Sequence, residues 1–153
     1  MTTDSGDPSP DAPVDDLDGS CDGEVEDLHR RGLEATPHQL ARLRRQVADW
    51  ARRAGLAMGR VPDLVLAVYE AMANVVVHAY EGHAGRLDLS ARHHGHRLTV
   101  TVADRGHWEP TPVRGLLHGR GLPLIRTLAD EVSLTASPDG TIVEMTWDCR
   151  AAN

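Results

Sequence analysis

The spacing of apolar residues changes near Gly85, and this change limits the folds that the chain can adopt. Between residues 37 and 54, apolar residues recur every three or four positions, which indicates a helix with one buried face. In two stretches between residues 87 and 102, apolar residues alternate with polar ones, which indicates strands that bury one face. A chain that changes period in this way packs helices against a sheet, so we predict an α+β layered sandwich.

The same patterns divide the chain into individual elements. Thr36 and Pro37 favour a helix start, with Thr as the N-cap and Pro in the first turn, and Gly55 is a suitable end. The other predicted elements are an edge strand within 27–35, a helix from about 62 to 81, strands near 87–90 and 98–102, a helix over about 121–130, and strands near 131–136 and 141–147. The histidine-rich stretch 93–96 is interpreted as an exposed hairpin turn in preference to a metal site.

Charge separates an N-terminal tail from the rest of the chain. Residues 1–27 contain ten Asp and Glu and no Lys or Arg, whereas residues 28–153 contain thirteen acids and sixteen Arg. A segment so acidic and so poor in large apolar groups cannot offset its ordering entropy by burial. We therefore predict a disordered acidic tail over residues 1–26 and one domain over residues 27–150.

Segments typical of export or membrane insertion are not found. The N-terminus lacks a basic and then apolar profile, and no apolar run approaches roughly 18 residues. Cys21 and Cys149 form a poor basis for a disulfide framework. These features predict a cytoplasmic protein that does not contact the membrane. The arginine-rich stretch 41–53 lacks interleaved aromatic residues, which favours a solvated or protein-binding helix face over direct nucleic-acid contact.

Polar residues at four-residue steps interrupt the second predicted helix. Glu70, Asn74 and His78 lie within an otherwise apolar run, and Asn74 is the only internal asparagine of the chain. Residues four apart share a helix face, so a carboxylate and an amide would lie together. Such a pair suits a water molecule and a hydrated Mg²⁺, which prefers oxygen ligands. The alternative is an amphipathic helix whose polar side faces solvent.

Three further stretches carry recognisable chemistry. Asp104 ends an alternating strand two residues before Gly106, so an acceptor for an amine lies beside a residue that lets a flat ring approach. Gly119 and Gly121 precede the third helix, whose free amides can bind phosphate oxygens. Thr141 follows a tight turn at the start of the last strand. Each stretch also has a plain interpretation as turn chemistry.

Taken together and in this order, these motifs resemble the GHKL ATP-binding superfamily. Four motifs carry the resemblance. They are the N-box with Glu70 and Asn74, the first glycine box with Asp104 and Gly106, the second glycine box with Gly119, Gly121 and Leu122, and the terminal Gly-Thr pair with Gly140 and Thr141. The chain looks most like the small bacterial anti-sigma-factor serine/threonine kinases. This resemblance implies a two-layer α/β sandwich of the Bergerat type, with a mixed, mostly antiparallel sheet and helices on one face.

The resemblance also implies a role for each residue. Glu70 would be the general base for a Ser or Thr hydroxyl, and Asn74 would coordinate the Mg²⁺ that bridges the ATP phosphates. Asp104 would bind the adenine amino group beside Gly106, with support from Thr141. The remaining nucleotide contacts would come from Gly119, Gly121 and Leu122, and from Arg114 and Arg120, since the chain has no Lys to meet phosphate charge.

Two functions of different classes follow from the resemblance. The first is an ATP- and Mg²⁺-dependent serine/threonine protein kinase that phosphorylates an anti-anti-sigma antagonist and regulates a sigma factor by partner switching. The second is a nucleotide-gated binding module with little or no kinase activity. Glu70 favours the kinase, because a pure binder needs no base beside the γ-phosphate. The family resemblance further implies a homodimer.

Overall fold

Five strands and three α-helices make up the part of the chain that a computed structural model describes, namely residues 25–78, 85–104, 121–137 and 140–150. In chain order the elements are β1 (Leu28–Glu34), α1 (Pro37–Arg53), a 3-10 helix (Met58–Arg60), α2 (Val61–His78), β2 (Arg86–His94), β3 (Arg97–Asp104), α3 (Gly121–Leu128), β4 (Glu131–Ser137) and β5 (Gly140–Asp148). The α+β prediction is confirmed.

The start of α1 follows the predicted capping pattern. The backbone of Thr36 is extended, and its hydroxyl accepts a hydrogen bond of 3.2 Å from the Gln39 N–H. Pro37 has no backbone N–H, and in the first turn this loses no hydrogen bond, because the first N–H groups of a helix have no helical acceptor. After the helix, Gly55 has a φ of 86°, a conformation that glycine adopts without steric cost.

The strands form one sheet in the order β1-β2-β3-β5-β4, and each described pair is antiparallel. A tight turn over residues 95–96 joins β2 to β3 through Gly95, whose φ is 60°. The predicted hairpin is present, but its turn is shorter than predicted, because His93 and His94 still pair with β3 as the last residues of β2. In the part of the chain that the structure describes, no group of three or more His, Cys, Asp or Glu could hold a metal ion.

The hydrophobic core lies between the sheet and the helices. Alternate residues of the three central strands are buried, as the predicted period requires: Leu87, Leu89 and Ala91 on β2, Leu98, Val100 and Val102 on β3, and Val143, Met145 and Trp147 on β5. They join one cluster with Trp50 of α1, Met72 of α2 and Ile125 of α3. The helices therefore pack against one face of the sheet, and the molecule has two layers.

A polar clamp holds one end of these layers together. The guanidinium of Arg60 donates hydrogen bonds of 2.7 and 3.0 Å to the Asp130 carboxylate and one of 3.3 Å to the Asp148 carbonyl. The Asp148 N–H donates to Asp130 at 2.7 Å. The start of α2, the end of α3 and the end of β5 thus meet at one edge of the core. The second half of α2 and the start of α3 lead away from this clamp, and the end of β3 and the start of β5 lie at the other end of the sheet from it.

Parts of the predicted elements lie outside the described residues. The second helix is described as far as His78, whereas its predicted end near residue 81 lies outside. A loop rich in Gly, Pro and Arg is predicted over roughly 104–120; its first residue, Asp104, belongs to β3, and the rest lies outside the described residues. The third helix ends at Leu128, two residues earlier than predicted. The Ala129 N–H still donates to the Ile125 carbonyl at 3.0 Å, but Asp130 is held by the clamp instead of continuing the helix.

Candidate functional site

Asp104 and Thr141 lie side by side at the end of the sheet opposite the clamp. Asp104 is the last residue of β3, and the antiparallel register pairs it with Thr141 near the start of β5. Asp104 lies two residues after the buried Val102, and Thr141 lies two residues before the buried Val143. Alternate residues of a strand share a face, so both side chains point to the face that the helices cover. They are 5% and 2% exposed. The pairing therefore places a carboxylate beside a hydroxyl in a buried environment.

The Thr141 hydroxyl has no hydrogen-bond partner. Its oxygen is enclosed, and within residues 25–78, 85–104, 121–137 and 140–150 no group donates to it or accepts from it. Burial of an unpaired hydroxyl costs free energy, and native proteins usually satisfy such groups with protein, water or ligand. An orphaned hydroxyl next to a buried acceptor is the arrangement that a polar heterocycle with an exocyclic amine would satisfy.

Glu70 and Asn74 occupy successive turns of α2, four residues apart and both half-buried. Helical geometry puts them on one face, in the half of the helix that extends away from the clamp. The Asn74 amide nitrogen is enclosed and, like the Thr141 hydroxyl, has no hydrogen-bond partner. A buried amide donor suits an anionic oxygen such as that of a phosphate, while its carbonyl oxygen suits a hard cation.

The start of α3 supplies a third part of this region. The helix begins at Gly121, its next residue Leu122 is buried, and α3 packs along α2. The first N–H groups of any helix lack helical acceptors and carry partial positive charge. These N–H groups are the part of α3 that could bind an anionic group.

The structure does not describe four of the predicted site residues. Gly106, Arg114, Gly119 and Arg120 lie in the stretch 105–120, outside the described residues. Their roles stay predictions. Among the described residues, the register pairs Asp104 with Thr141, and helical geometry puts Glu70 and Asn74 on one face of α2. That these two pairs and the start of α3 form one site stays a prediction.

A nucleotide with Mg²⁺ fits the chemistry of these side chains. Asp104 would accept from a base amine, Thr141 would bond the same ring system, and Asn74 would offer its nitrogen to a phosphate oxygen and its oxygen to the metal. Mg²⁺ characteristically retains several waters and needs few protein ligands. Such a site does not require the three-residue metal cluster that is missing from the described residues.

One structurally decisive residue was missed by the sequence interpretation. Arg60 lies in a 3-10 helix of three residues, too short for a periodic signal, and its partners are far away in sequence. Its hydrogen bond to Asp130 holds the pKa of that carboxyl below its usual value, and the same contact raises the pKa of Arg60. No local pattern could have identified this contact, since it links separate motifs.

Comparison with known proteins places this arrangement in a family. Residues 33–147 match the model of the histidine kinase-like ATPase domain. An anti-sigma F factor from Thermoanaerobacter sp. is 29% identical over 112 residues, which cover 65% of this chain and 78% of that protein. The serine-protein kinase RsbW of Bacillus thuringiensis is 30% identical over 126 residues, covering 72% of this chain and 79% of the kinase.

A solved structure shows the same fold. The crystal structure of the RsbU and RsbW domains of Rv1364c from Mycobacterium tuberculosis superposes with a TM-score of 0.65 and 25% identity. The match covers 80% of this chain but 32% of that longer chain, so the likeness concerns one of its parts. Family match, relatives and fold agree: the chain belongs to the histidine kinase-like ATPase domain family, with relatives among anti-sigma factors and serine-protein kinases.

Proposed function

We propose that this protein is an Mg²⁺- and ATP-dependent serine/threonine protein kinase that phosphorylates an anti-anti-sigma antagonist and thereby regulates a sigma factor by partner switching. The observation that carries the proposal is the pairing of Asp104 with Thr141, whose hydroxyl has no partner among the described residues. Glu70 and Asn74 on α2 support it. The names of the similar proteins support the same activity and the same class of partner.

The chemistry needs few protein groups. Phosphoryl transfer is catalysed mainly by positioning and by neutralising charge. When bound, Mg²⁺ would neutralise charge on the phosphates. Asn74 would orient the phosphates, Asp104 and Thr141 would hold the base, and the start of α3 would offer N–H groups to phosphate oxygens. Glu70 lies one turn before Asn74, where it would accept the proton of a substrate hydroxyl.

The decisive test separates chemistry from binding. Glu70→Gln keeps the shape of the side chain and removes the base, so we expect transfer to fall by about 10²–10⁴-fold while ATP affinity changes little. Transfer from γ-labelled ATP would be measured on purified antagonist-type proteins from the source genome, and affinity by calorimetry. The matched control is Glu34→Gln, which changes an exposed carboxylate on β1.

The outcomes distinguish the two functions considered. Transfer that depends on Glu70 and survives Glu34→Gln supports the kinase. Nucleotide binding without transfer to any of these proteins, in wild type and variants alike, would establish the nucleotide-gated binding module instead. Equal transfer by Glu70→Gln and wild type would remove Glu70 from the mechanism.

Location and assembly extend the proposal. No helix among the described residues is long and apolar enough to cross a membrane. A cytoplasmic location without membrane or nucleic-acid contact stays part of the proposal, in keeping with partners that act on transcription. We also expect a homodimer, and the surface that could form it is considered below.

A further inference from the structure

The solvent-facing side of α1 is strongly basic. Its arginines are all exposed: Arg42, Arg44, Arg45, Arg52 and Arg53. The helix contains one acid, Asp49, and none in its first turn. Helical geometry spreads these side chains over the outer half of the cylinder, so α1 presents an almost unbroken positive surface.

Most of this charge is not neutralised by the described residues. Arg52 is paired with Asp49 at 3.1 Å, whereas Arg45 reaches a carbonyl of its own helix and Arg44 lies 5.7 Å above the ring of Tyr69. These contacts cancel no charge. Within residues 25–78, 85–104, 121–137 and 140–150, Arg52 is the only one of the five arginines with a carboxylate partner. The helix dipole favours positive charge at the C-terminus of α1, which accounts for Arg52 and Arg53. It does not account for Arg42 and Arg45, which lie in the middle of the helix.

The described chain begins beside this helix. The Trp50 indole N–H donates to the Glu26 carbonyl at 3.2 Å, and Val25 packs against the core. A few residues later, Arg30 donates to the Gln46 side chain at 3.1 Å. Residues 25–30 are therefore fixed along α1, and the segment that precedes Val25 starts next to the arginine-bearing surface.

That segment carries the opposite charge. Residues 1–24 contain eight Asp and Glu and no Lys or Arg. Fully extended, 24 residues span up to about 80 Å, whereas the 17 residues of α1 measure about 26 Å. Length therefore does not prevent the acids from reaching any arginine of the helix.

We propose that the acidic segment 1–24 docks on the arginine face of α1 in the same molecule. Single ion pairs at an exposed surface are weak, so the contact is the sum of several pairs and no one pair dominates. Attachment at Val25 gives the segment a millimolar effective concentration over the helix, which lets weak pairs occupy the face. The segment would then act as a built-in competitor against any acidic partner that approaches α1. This inference does not depend on the kinase proposal.

A spin label far from the point of attachment tests the contact. Cys21 lies four residues before Val25 and is never more than about 14 Å from it, so a label there would broaden α1 whether or not the segment docks. The label is therefore attached to Ser5→Cys, in a chain whose two cysteines, Cys21 and Cys149, are both changed to Ser. The nitroxide broadens the amide signals of nearby residues in a ¹⁵N spectrum of the full chain.

The expected pattern is local and sensitive to salt. At about 10 mM salt, where the Debye length is about 30 Å, amides of α1 should be broadened. At about 1 M salt, where it is about 3 Å, the broadening should vanish. Amides of β4, on the opposite edge of the sheet from β1, should be unaffected in both conditions.

Matched variants separate this contact from proximity alone. Replacing Arg42 and Arg45 by Gln should abolish most of the broadening on α1, whereas Arg126→Gln, an exposed arginine of α3, should leave it unchanged. Neutralising the segment by changing Asp15, Asp16, Asp18 and Asp22 to Asn should act like high salt.

Three results would overturn the proposal. The first is broadening of α1 that persists at about 1 M salt or in the neutralised segment. The second is broadening of β4 equal to that of α1. The third comes from mixing ¹⁵N-labelled chain with unlabelled spin-labelled chain: broadening confined to such mixtures would mean that the segment docks on another copy.

Discussion

At the scale of single residues, the informative feature is a polar atom without a partner. The sequence motifs assigned Asp104 and Thr141 to one base-binding role, but no pattern in the sequence showed that either residue lacks a hydrogen-bond partner. The structure adds that the two are paired and that the threonine hydroxyl is enclosed and unsatisfied. A buried hydroxyl without a hydrogen bond lowers the stability of the ligand-free protein. Such a cost is expected where a bound ligand supplies the missing hydrogen bond.

This leads to a prediction with two readouts of opposite sign. Thr141→Val preserves shape and removes the unpaired hydroxyl, so the nucleotide-free protein should gain about 1 kcal/mol in free energy of unfolding. The same change should reduce the stabilisation that Mg·ATP confers, because one ligand contact is lost. Chemical denaturation with and without Mg·ATP measures both quantities.

The control for that prediction lies on the same strand. Thr146 is also buried, but its hydroxyl is not among the enclosed, unpartnered atoms, so Thr146→Val should neither stabilise the free protein nor change the effect of Mg·ATP. Lower stability of free Thr141→Val would mean that the hydroxyl already has a partner. An unchanged effect of ATP would place the nucleotide elsewhere.

At the scale of secondary-structure elements, local patterns predicted the pieces better than their connections. The N-cap at Thr36 and the strand alternation were confirmed because each depends on neighbouring residues. The 3-10 helix Met58–Arg60 was not predicted, since three residues carry no period. Its clamp onto Asp130 and Asp148 was equally invisible, because a chain has no local signal for partners that folding alone brings together.

The clamp makes stability depend on pH in a defined direction. The hydrogen bond from Arg60 lowers the pKa of Asp130 in the folded state, while an unfolded Asp titrates near 3.9. A lowered folded pKa contributes stability that is fully present above the unfolded value and is lost as pH falls through the folded value. The contribution is modest, about 1 kcal/mol or less, because the Asp130 side chain is 40% exposed and its charge is screened.

Asp130→Asn should therefore cost stability at neutral pH and cost progressively less under acid. We expect the difference in unfolding free energy between wild type and Asp130→Asn to stay constant from pH 7 to about 5 and to shrink below about pH 4. Denaturant titrations across this range measure it. Asp49→Asn, which breaks the more exposed pair with Arg52, should show a smaller difference. If the difference in unfolding free energy between wild type and Asp130→Asn grew as the pH fell, Arg60 would not be what lowers the pKa of Asp130.

At the scale of the whole molecule, the face of the sheet opposite the helices offers a surface for self-association. A groove of about 580 Å³ crosses it, lined among others by Arg92 of β2, Thr101 of β3 and Glu144 of β5. The Thr101 hydroxyl is enclosed and has no partner. Arg31 and Arg92 lie on the β1–β2 side of β3 together with Asp88, whose carboxylate accepts from the Gly32 N–H at 2.7 Å, while Glu144 lies on the other side.

This distribution of charge favours one symmetry. A two-fold axis between two such faces and perpendicular to the strands would stack β2 of one copy on β2 of the other, so the two strands that carry Arg92 would face each other. An axis parallel to β3 instead places β2 of one copy over β5 of the other, so that Arg92 faces the strand carrying Glu144. Symmetric dimers use the same patch on both copies, and this second arrangement makes the patch complementary to itself.

Charge reversal tests the dimer and its geometry together. We expect wild type to sediment with twice the monomer mass, and Arg92→Glu or Glu144→Arg alone to dissociate it, because like charges meet at two symmetric positions. A cost of about 1.4 kcal/mol at each position raises the dissociation constant about 100-fold. The double variant, Arg92→Glu with Glu144→Arg, should restore the dimer, since it exchanges the two charges and leaves their pairing intact. Arg126→Glu on α3 should have no effect. A wild type that stays monomeric at every concentration would refute the dimer, whereas a dimer that tolerates both single reversals would move its interface to another surface.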